Sequence, residues 1–510
     1  MRIAACFLAA CLLASPSFGQ KLDGKYDAGK DGGVAWQINN HGTLMWGGSP
    51  YLPVGVSVDP TPQSIAAAKA AGISDVIVDL PASDDGWDST ISALESSHLR
   101  YLIRIGSLGP MAKGIAVDPS SYRISDVKGP KHVELSLPDA TEVLAVIAQK
   151  RDGAIQKWER VPVINGKLVY DAMAPQGIES VILFYPNTRS LAQPDYWEEL
   201  DGHRDRLLGA LRHHRPGPGL RGIVNPLGKT LTLPGPNIRF VPTSPAFRAE
   251  FALFLENKYR NVVNVLRAWS LGSQIVSNAQ NGEDKDMTFS FDDVAKFVPL
   301  WSGTRGVAQF WDPGKNKLFS CDIRHSTFWK DLAQAVNLAE NRRYQRIVDS
   351  IREVVDVPVV QEWSGWASPY EGTSPSVDGI GMKASGTSPS AIIATASKAT
   401  SSLLRWKTET STDLEGMLHG WLPATDIDLG EGSSASSQLG GVLDDLTSLG
   451  ARGIFIRTSD PAAMKAVAAE AGRRASDVGP SQYSPRAVFF PENATNPAEA
   501  QRLQGGFWWL

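Results

Sequence analysis

The chain has 510 residues, with 50 lysines and arginines against 54 aspartates and glutamates, so its formal net charge is −4 at pH 7. This near-neutral balance, without a long basic run, argues against nucleic acid as the main partner, because phosphate binding requires clustered lysine and arginine. The length is sufficient for a large barrel with additional modules.

The first residues have the pattern of a secretory signal, and we expect residues 1–19 to be removed as a signal peptide. Arg2 provides a positive start, Ile3–Ala14 is a short apolar run, and small residues before Gln20 suit a cleavage site. An apolar strand or helix of the mature fold is the alternative interpretation. The run is shorter than the roughly 20 residues that span a bilayer, and no later segment is long and apolar enough. The sequence therefore predicts an exported protein, secreted or periplasmic, with no membrane span.

The three cysteines leave little room for disulfide or metal chemistry. Cys6 and Cys11 lie in the predicted signal, so Cys321 is alone in the mature chain and cannot form an internal disulfide. A catalytic thiol is one interpretation of Cys321, and a small buried hydrophobe is the more common one. The pair His213–His214 stands between arginines, which favours a solvated helix end over a zinc site. We therefore predict no metal and no cofactor.

A hairpin precedes an alternation of strands and helices. Its two strands, at 34–38 and 43–46, flank a turn at Asn39–Gly42. Three strands and two helices then alternate along the chain. The strands are predicted at 51–59, 74–80 and 99–105, and the helices at 62–71 and 88–97. Such alternation is typical of βαβ units and a parallel sheet.

From residue 106 to about 190 the alternation stops, and short strands separated by turns follow. The turns include Asp152-Gly153 and Asn165-Gly166, which are hairpin signals. We predict an inserted β-sandwich-like module at 106–190. Carbohydrate binding and structural packing around a barrel are both open interpretations of this module.

The barrel pattern resumes after the module, with helices predicted at 195–213, 244–269 and 329–354. Over the whole chain we count eight strands, which begin at residues 51, 74, 99, 219, 357, 377, 403 and 452. Eight parallel strands close a (β/α)8 barrel of the TIM type, and this α/β fold is our prediction. A doubly wound open sheet is the alternative, although no Gly-x-Gly-x-x-Gly turn follows the first strand.

The predicted organisation is a signal peptide followed by a barrel that carries an insertion. Its segments are 1–19 (signal), 20–105 (hairpin and first barrel strands), 106–190 (β-rich module), 191–475 (remainder of the barrel) and 476–510 (C-terminal tail). The tail ends in two tryptophans and a leucine, and exposed aromatic side chains are costly. We expect it either to pack on the body or to begin a further β domain. Nothing in these segments predicts an oligomeric state.

Polar side chains lie at the ends of several predicted strands. In barrels of this type the catalytic residues occupy these carboxyl ends. Two glutamates on separate strands are the composition of a glycosidase, in which one carboxylate attacks or activates water and the other protonates the leaving oxygen. The polar residues at the predicted strand ends are Asp59, Asp79, Arg104, Asn225, Glu362, Lys383 and Glu409.

Three stretches resemble the retaining glycoside hydrolases with (β/α)8 barrels, nearest to the thermophilic-type bacterial β-galactosidase family. Residues 43–59 are similar to the start of the barrel in many bacterial glycosidases, and the helix at 247–269 is similar to the helix after strand four. Leu404–Thr410 resembles the seventh strand, whose terminal glutamate is the nucleophile. The resemblance therefore implies that Glu409 is the nucleophile and that Trp406 contacts the substrate.

The chain departs from that family at strand four, which usually ends in Asn-Glu with the glutamate as general acid/base. Here the strand ends in Asn225-Pro226, so the asparagine is present and proline replaces the acid. Loss of a general acid costs on the order of 10²–10⁴ in rate for a poor leaving group. Glu362, at the end of the next predicted strand, is the candidate replacement, and Trp363 and Trp366 are expected to line a sugar subsite.

These residues support two main functional hypotheses. The first is an exported, retaining glycoside hydrolase that cleaves an oligo- or polysaccharide, with Glu409 as nucleophile and Glu362 as acid/base. The second is a barrel that lost its acid at Pro226 and binds carbohydrate without cleaving it. The sugar, the linkage and the choice between endo and exo cleavage stay open. Further substrate-binding candidates are Asp59, Asp79, Arg104 and Asn225.

Overall fold

The computed structural model of the protein describes 22–29, 32–39, 42–107, 109–117, 122–228, 240–272, 275, 288–301, 307–322, 325–363, 378–385, 389–393, 396, 420–429 and 433–474. The strands are β1 (Asp23–Tyr26), β2 (Val34–Ile38), β3 (Leu44–Trp46), β4 (Ser49–Tyr51), β5 (Val54–Val58), β6 (Asp75–Leu80), β7 (Arg100–Ile105), β8 (Met111–Ala116), β9 (Arg123–Val127), β10 (Pro130–Ser136), β11 (Glu142–Gln149), β12 (Ile155–Pro162), β13 (Lys167–Met173), β14 (Ser180–Pro194), β15 (Leu220–Val224), β16 (Phe240–Pro242), β17 (Val298–Trp301), β18 (Val307–Asp312), β19 (Lys317–Asp322), β20 (Val359–Trp363), β21 (Gly379–Ser385), β22 (Ala424–Asp428) and β23 (Ile454–Arg457). The helices are α1 (Pro62–Ala70), α2 (Trp87–Ser96), α3 (Leu200–His214), α4 (Pro245–Tyr259), α5 (Val262–Ala268), α6 (Phe291–Val294), α7 (Phe328–Arg352), α8 (Ser433–Ser448) and α9 (Pro461–Arg474).

Eight of the described strands form a closed parallel barrel in the order β15-β20-β21-β22-β23-β5-β6-β7. The register sets Val224 opposite Val360, and β15 closes the ring by pairing with β7. Several of these strands are runs of valine, isoleucine and leucine because side chains pack against them from inside the barrel and from the surrounding helices. The predicted α/β barrel is therefore confirmed.

The barrel interior is a separate apolar cluster that includes Ile77, Leu102, Val360 and Phe455, all fully buried. Side chains of the predicted N-terminal hairpin, β2 and β3, join this cluster. Trp36 of the hairpin donates its indole N–H to the carbonyl of Asp356 over 2.8 Å, just before β20 begins. The hairpin therefore covers the amino-terminal end of the barrel and leaves the carboxyl-terminal end for a site.

One predicted barrel strand is corrected. The strand predicted at 403–408 lies outside the described residues, and its place in the closed ring is taken by β22 (Ala424–Asp428). Sequence analysis missed β22 because the consecutive polar residues Thr425 and Asp426 interrupt its apolar run. Both of these side chains are buried at the barrel end, where a polar lining replaces the apolar one.

The predicted β-rich insertion is confirmed as antiparallel sheets. One sheet runs β12-β11-β14-β8-β16, with β9 pairing onto β14, and β10 pairs separately with β13. Strand β16 comes from residues 240–242, so the chain returns to this sheet after the fourth barrel strand. The range 191–475, predicted as the remainder of the barrel, thus also supplies part of the module.

The helix predicted at 244–269 is two helices, α4 and α5. Arg260 adopts a left-handed conformation with φ of 62°, and the Asn261 side chain accepts the N–H of Val263 to begin α5. Both helices pack into a second core with β8, β11 and β14 instead of against the barrel. Helix α7 links the two cores, since Phe328 and Leu332 lie in the second while its later turns pack on the barrel.

Candidate active site at the barrel mouth

Each of the eight barrel strands contributes one polar residue to a single network. The carboxyl ends of parallel barrel strands meet at one face, which we call the barrel mouth. Hydrogen bonds or ion pairs join the members of this network to one another. In strand order they are Ser57, Asp79, Arg104, Asn225, Glu362, Lys383, Asp426 and Arg457.

Arg104 lies at the centre of the network. Its Nε donates to Asp79 Oδ1 over 2.5 Å, and its Nη1 donates to Glu362 Oε1 over 3.0 Å. Its Nη2 donates to the hydroxyl of Ser57 over 3.0 Å. Burial by itself lowers the pKa of Arg104, but the charges of Glu362 and Asp79 reverse this, so its pKa is raised. Arg104 is thus a fixed cation whose donors are directed at carboxylates on neighbouring strands.

Glu362 is held on both carboxylate oxygens. Oε1 accepts Arg104, while Oε2 accepts the side-chain amide of Asn225 over 2.7 Å and lies 3.4 Å from Lys383 Nζ. The backbone N–H of Glu362 also donates to Asn225 Oδ1 over 2.8 Å. Donors therefore reach both oxygens and fix the orientation of the carboxylate. This arrangement suits a nucleophile or a charge-stabilising carboxylate better than a general acid.

Asn225 can make this two-point contact because of its backbone conformation. It has a φ of 56°, in the left-handed region, which asparagine tolerates better than most residues. Its carbonyl accepts the N–H of Gly228 over 2.7 Å, so a tight turn follows the strand. Pro226 in that turn offers only its carbonyl, which accepts a ring N–H of the buried His203 over 2.8 Å. Pro226 therefore has a structural role in the turn.

Asp426 is a second interior carboxylate of the mouth. Arg457 donates to it twice, over 2.9 and 2.7 Å, and Lys383 Nζ lies 3.4 Å from Oδ2. Burial raises the pKa of Asp426, but Arg104, the Arg457 hydrogen bond and Lys383 together outweigh that effect and lower the pKa. Asp426 is therefore ionised at neutral pH and is not a proton donor.

Glu362 and Asp426 face each other across Lys383. Glu362 Oε2 and Asp426 Oδ2 each lie 3.4 Å from Nζ, so these two oxygens are at most twice that distance apart, 6.8 Å. Carboxyl groups in retaining glycosidases are about 5–5.5 Å apart and in inverting ones about 6.5–9.5 Å apart. This upper limit on the separation is compatible with either spacing.

Four of the predicted site residues meet in this network, together with Lys383 from the predicted strand ends. Asp79, Arg104, Asn225 and Glu362 are brought together as expected for strand ends. Asp59 is exposed beyond β5, and Trp363 ends β20. Three predicted residues lie outside the described part of the chain: Trp366, Trp406 and Glu409.

Sequence reasoning missed Ser57, Asp426 and Arg457 as site residues. Asp426 was missed with its strand. Ser57 and Arg457 lie on strands that were predicted. Ser57 precedes the candidate Asp59 by two residues, and no candidate was named on the strand of Arg457. Every second residue of a barrel strand faces the interior. A polar residue at such a position near the end of the strand was the signal that could have found them.

Cys321 lies in β19, outside the network of the mouth. Burial, and secondarily Asp322, raise the pKa of its thiol to about 12. The thiolate is the reactive form of cysteine. A catalytic thiol is therefore not supported, and the interpretation of Cys321 as a partly buried hydrophobe is favoured.

The solved structures to which this chain is similar include a glycoside hydrolase. A solved rhamnosidase structure from Novosphingobium sp. PP1Y aligns with a TM-score of 0.39 and 10% sequence identity, over 80% of this chain and 55% of the rhamnosidase. The chain thus spans about half the length of that protein. No family model matches the sequence, and no curated protein matches it. Among the described helices, none is long and apolar enough to cross a membrane.

Proposed function

We propose that this protein is an exported glycoside hydrolase whose active site is the barrel mouth. The observation that carries the proposal is the pair Glu362 and Asp426, two interior carboxylates on separate strands held within reach of one sugar. Glycosidic bond cleavage uses a nucleophilic or charge-stabilising carboxylate and a carboxylic acid that protonates the leaving oxygen. Glu362 and Asp426 supply the first of these two functions. The resemblance of Leu404–Thr410 to a glycosidase strand and the signal-like residues 1–19 support the same function and an extracytoplasmic location.

The geometry changes the role that we give Glu362. Both of its oxygens accept donors, so we assign it to the nucleophile or to charge stabilisation of the oxocarbenium-like transition state. Asp426, held ionised by three cations, supports that charge. The leaving oxygen then takes its proton from another carboxyl group. Glu409 and the half-exposed Asp79 are the candidates.

The test is the response of a Glu362→Gln variant to the leaving group. A panel of dinitrophenyl glycosides, whose leaving groups need no protonation, is compared with the unactivated oligosaccharides of the same sugars. Loss of a nucleophile abolishes turnover of both substrate types. Loss of a general acid removes about 10²–10⁴ from the unactivated substrate and leaves the activated one near wild type.

We expect Glu362→Gln to lose activity on both substrate types while Glu353→Gln, an exposed glutamate at the end of α7, keeps wild-type rates. If the Glu362→Gln variant still cleaves the dinitrophenyl glycosides but not the unactivated oligosaccharides, Glu362 is the acid/base residue after all. Undiminished turnover of both would remove Glu362 from the chemistry. The Glu409→Gln variant, assayed in parallel, tests the nucleophile that the resemblance implies.

Carbohydrate binding without cleavage is the second candidate function. It is favoured by the charge pairing of Glu362 and Asp426, since both carboxylates already pair with described cations and neither is assigned as the general acid. Retention of a polysaccharide by the wild-type protein, with no release of reducing ends, would support it.

A further inference from the structure

A cluster of two histidines and two aspartates lies where the loop after β6 meets the end of α3. Asp84 belongs to the loop between β6 and α2, Asp88 to the first turn of α2, and His213 and His214 end α3. One ligand atom from each of Asp84, His213 and His214 lies within 4.8 Å of the others. Sequence spacing could not indicate this cluster, because about 130 residues separate the aspartates from the histidines.

Both histidines direct a ring nitrogen at the same carboxylate. His213 Nδ1 lies 2.8 Å from Asp84 Oδ2, and His214 Nε2 lies 2.9 Å from Asp84 Oδ1. Neutral imidazole nitrogens and a carboxylate are the ligand set of many zinc sites, at about 2.0–2.2 Å from the ion. Because the three ligand atoms lie within 4.8 Å of one another, small side-chain movements would bring them to one ion.

The surroundings of His214 point independently to a metal ligand. Its second ring nitrogen, Nδ1, lies 2.5 Å from Asp88 Oδ1. A metal-bound histidine almost always passes its other N–H to a carboxylate or carbonyl, which fixes the ring and raises its basicity. The ring is also stacked on Trp87, with centroids 5.8 Å apart, and its side chain is only 3% exposed. The ring is therefore held in the orientation that a ligand needs.

We propose that Asp84 and the imidazoles of His213 and His214 bind one zinc ion, with Asp88 orienting His214. His213 and Asp84 are more than half exposed, so solvent completes the tetrahedral coordination. The ion ties the end of α3 to the loop that follows β6. Because β6 carries Asp79 into the barrel mouth, the ion stabilises one wall of that mouth without contacting the substrate.

The experiment uses the mature chain without a histidine tag, stripped of metal by a chelator and titrated with zinc in a calorimeter. We expect one ion per chain. We expect His213→Ala and Asp84→Asn each to weaken binding at least tenfold, and Asp88→Asn to weaken it by about 10–100-fold, as for other outer-shell carboxylates. Cobalt in place of zinc should give the visible absorption of a tetrahedral site, and His213→Ala should abolish it.

His132→Ala is the matched control, since His132 is an exposed histidine that pairs with two carboxylates, and in the described part of the chain it belongs to no such three-ligand cluster. It should leave the affinity and the stoichiometry for zinc unchanged. The proposal is overturned if the wild-type chain shows no saturable site, or if His213→Ala and Asp84→Asn bind zinc as wild type does. His213 is exposed, so the fold of its variant can be verified by circular dichroism before titration.

Discussion

At the scale of single residues, the barrel mouth is a set of charges that neutralise one another. Arg104, Lys383 and Arg457 are the cations, and Asp79, Glu362 and Asp426 are the anions. A charge removed from water is costly unless a partner and hydrogen bonds compensate for it. Each substitution in this set therefore removes a compensating charge from its partners.

Asp426 gives this charge pairing a measurable dependence on pH. The pKa of Asp426 is lower in the folded protein than in the unfolded chain, where it is about 3.9. Its ion pairs therefore stabilise the fold fully above about pH 3.9. This stabilisation is lost as the pH falls through the folded pKa. We expect Asp426→Asn to lower the free energy of unfolding at pH 7. The difference in this free energy between the variant and the wild type should become smaller below about pH 4. Chemical denaturation between pH 3 and 7 measures this, with Asp445→Asn, an exposed aspartate of α8, as control. A difference in free energy of unfolding that stays constant down to pH 3 would contradict the stabilisation of Asp426 by its ion pairs.

At the scale of elements, helix α7 is fixed to α4 and α5 by a buried aspartate. Asp331 is fully buried and accepts from Lys258 Nζ over 2.6 Å, from the Tyr259 hydroxyl over 2.9 Å and from the Trp269 indole over 2.7 Å. The Thr327 hydroxyl donates to it over 2.9 Å. Four donors on one carboxylate bring the three helices into one arrangement. This fixes how α7 passes from the second core to the barrel.

We expect Asp331→Ala to lower the free energy of unfolding by about 3 kcal/mol, because it leaves buried donors and a half-buried ammonium without their partner. Asp349→Asn on the exposed face of the same helix should change it by less than about 1 kcal/mol. Urea denaturation monitored by tryptophan fluorescence gives both values. An equal effect of the two substitutions would show that the buried network contributes no more than a surface ion pair.

At the scale of the whole molecule, the barrel and the second core share side chains. Trp197 and Val336 are packed against both, and α7 supplies residues to both along its length. Neither core can therefore lose its packing without exposing apolar surface of the other. This coupling predicts a single cooperative unfolding transition.

Calorimetry and circular dichroism should show one thermal transition, with near-ultraviolet and far-ultraviolet signals that coincide. Asp331→Ala should move that transition to lower temperature without splitting it. Two resolved transitions in the wild-type chain would mean that the two cores unfold independently in spite of their shared residues.

The sequence by itself determined the barrel and the β-rich insertion, because strand and helix periodicity are local properties. It also identified Asp79, Arg104, Asn225 and Glu362, since a polar residue at the end of an apolar strand is visible in one dimension. Tertiary structure alone decided the partners of those residues. Asp426 is buried on a strand where Arg104, Lys383 and Arg457 compensate its charge. Helices α4 and α5 pack on the β-rich insertion instead of on the barrel. The cluster of Asp84 with His213 and His214 joins residues far apart in the chain, and no local pattern encodes such a contact.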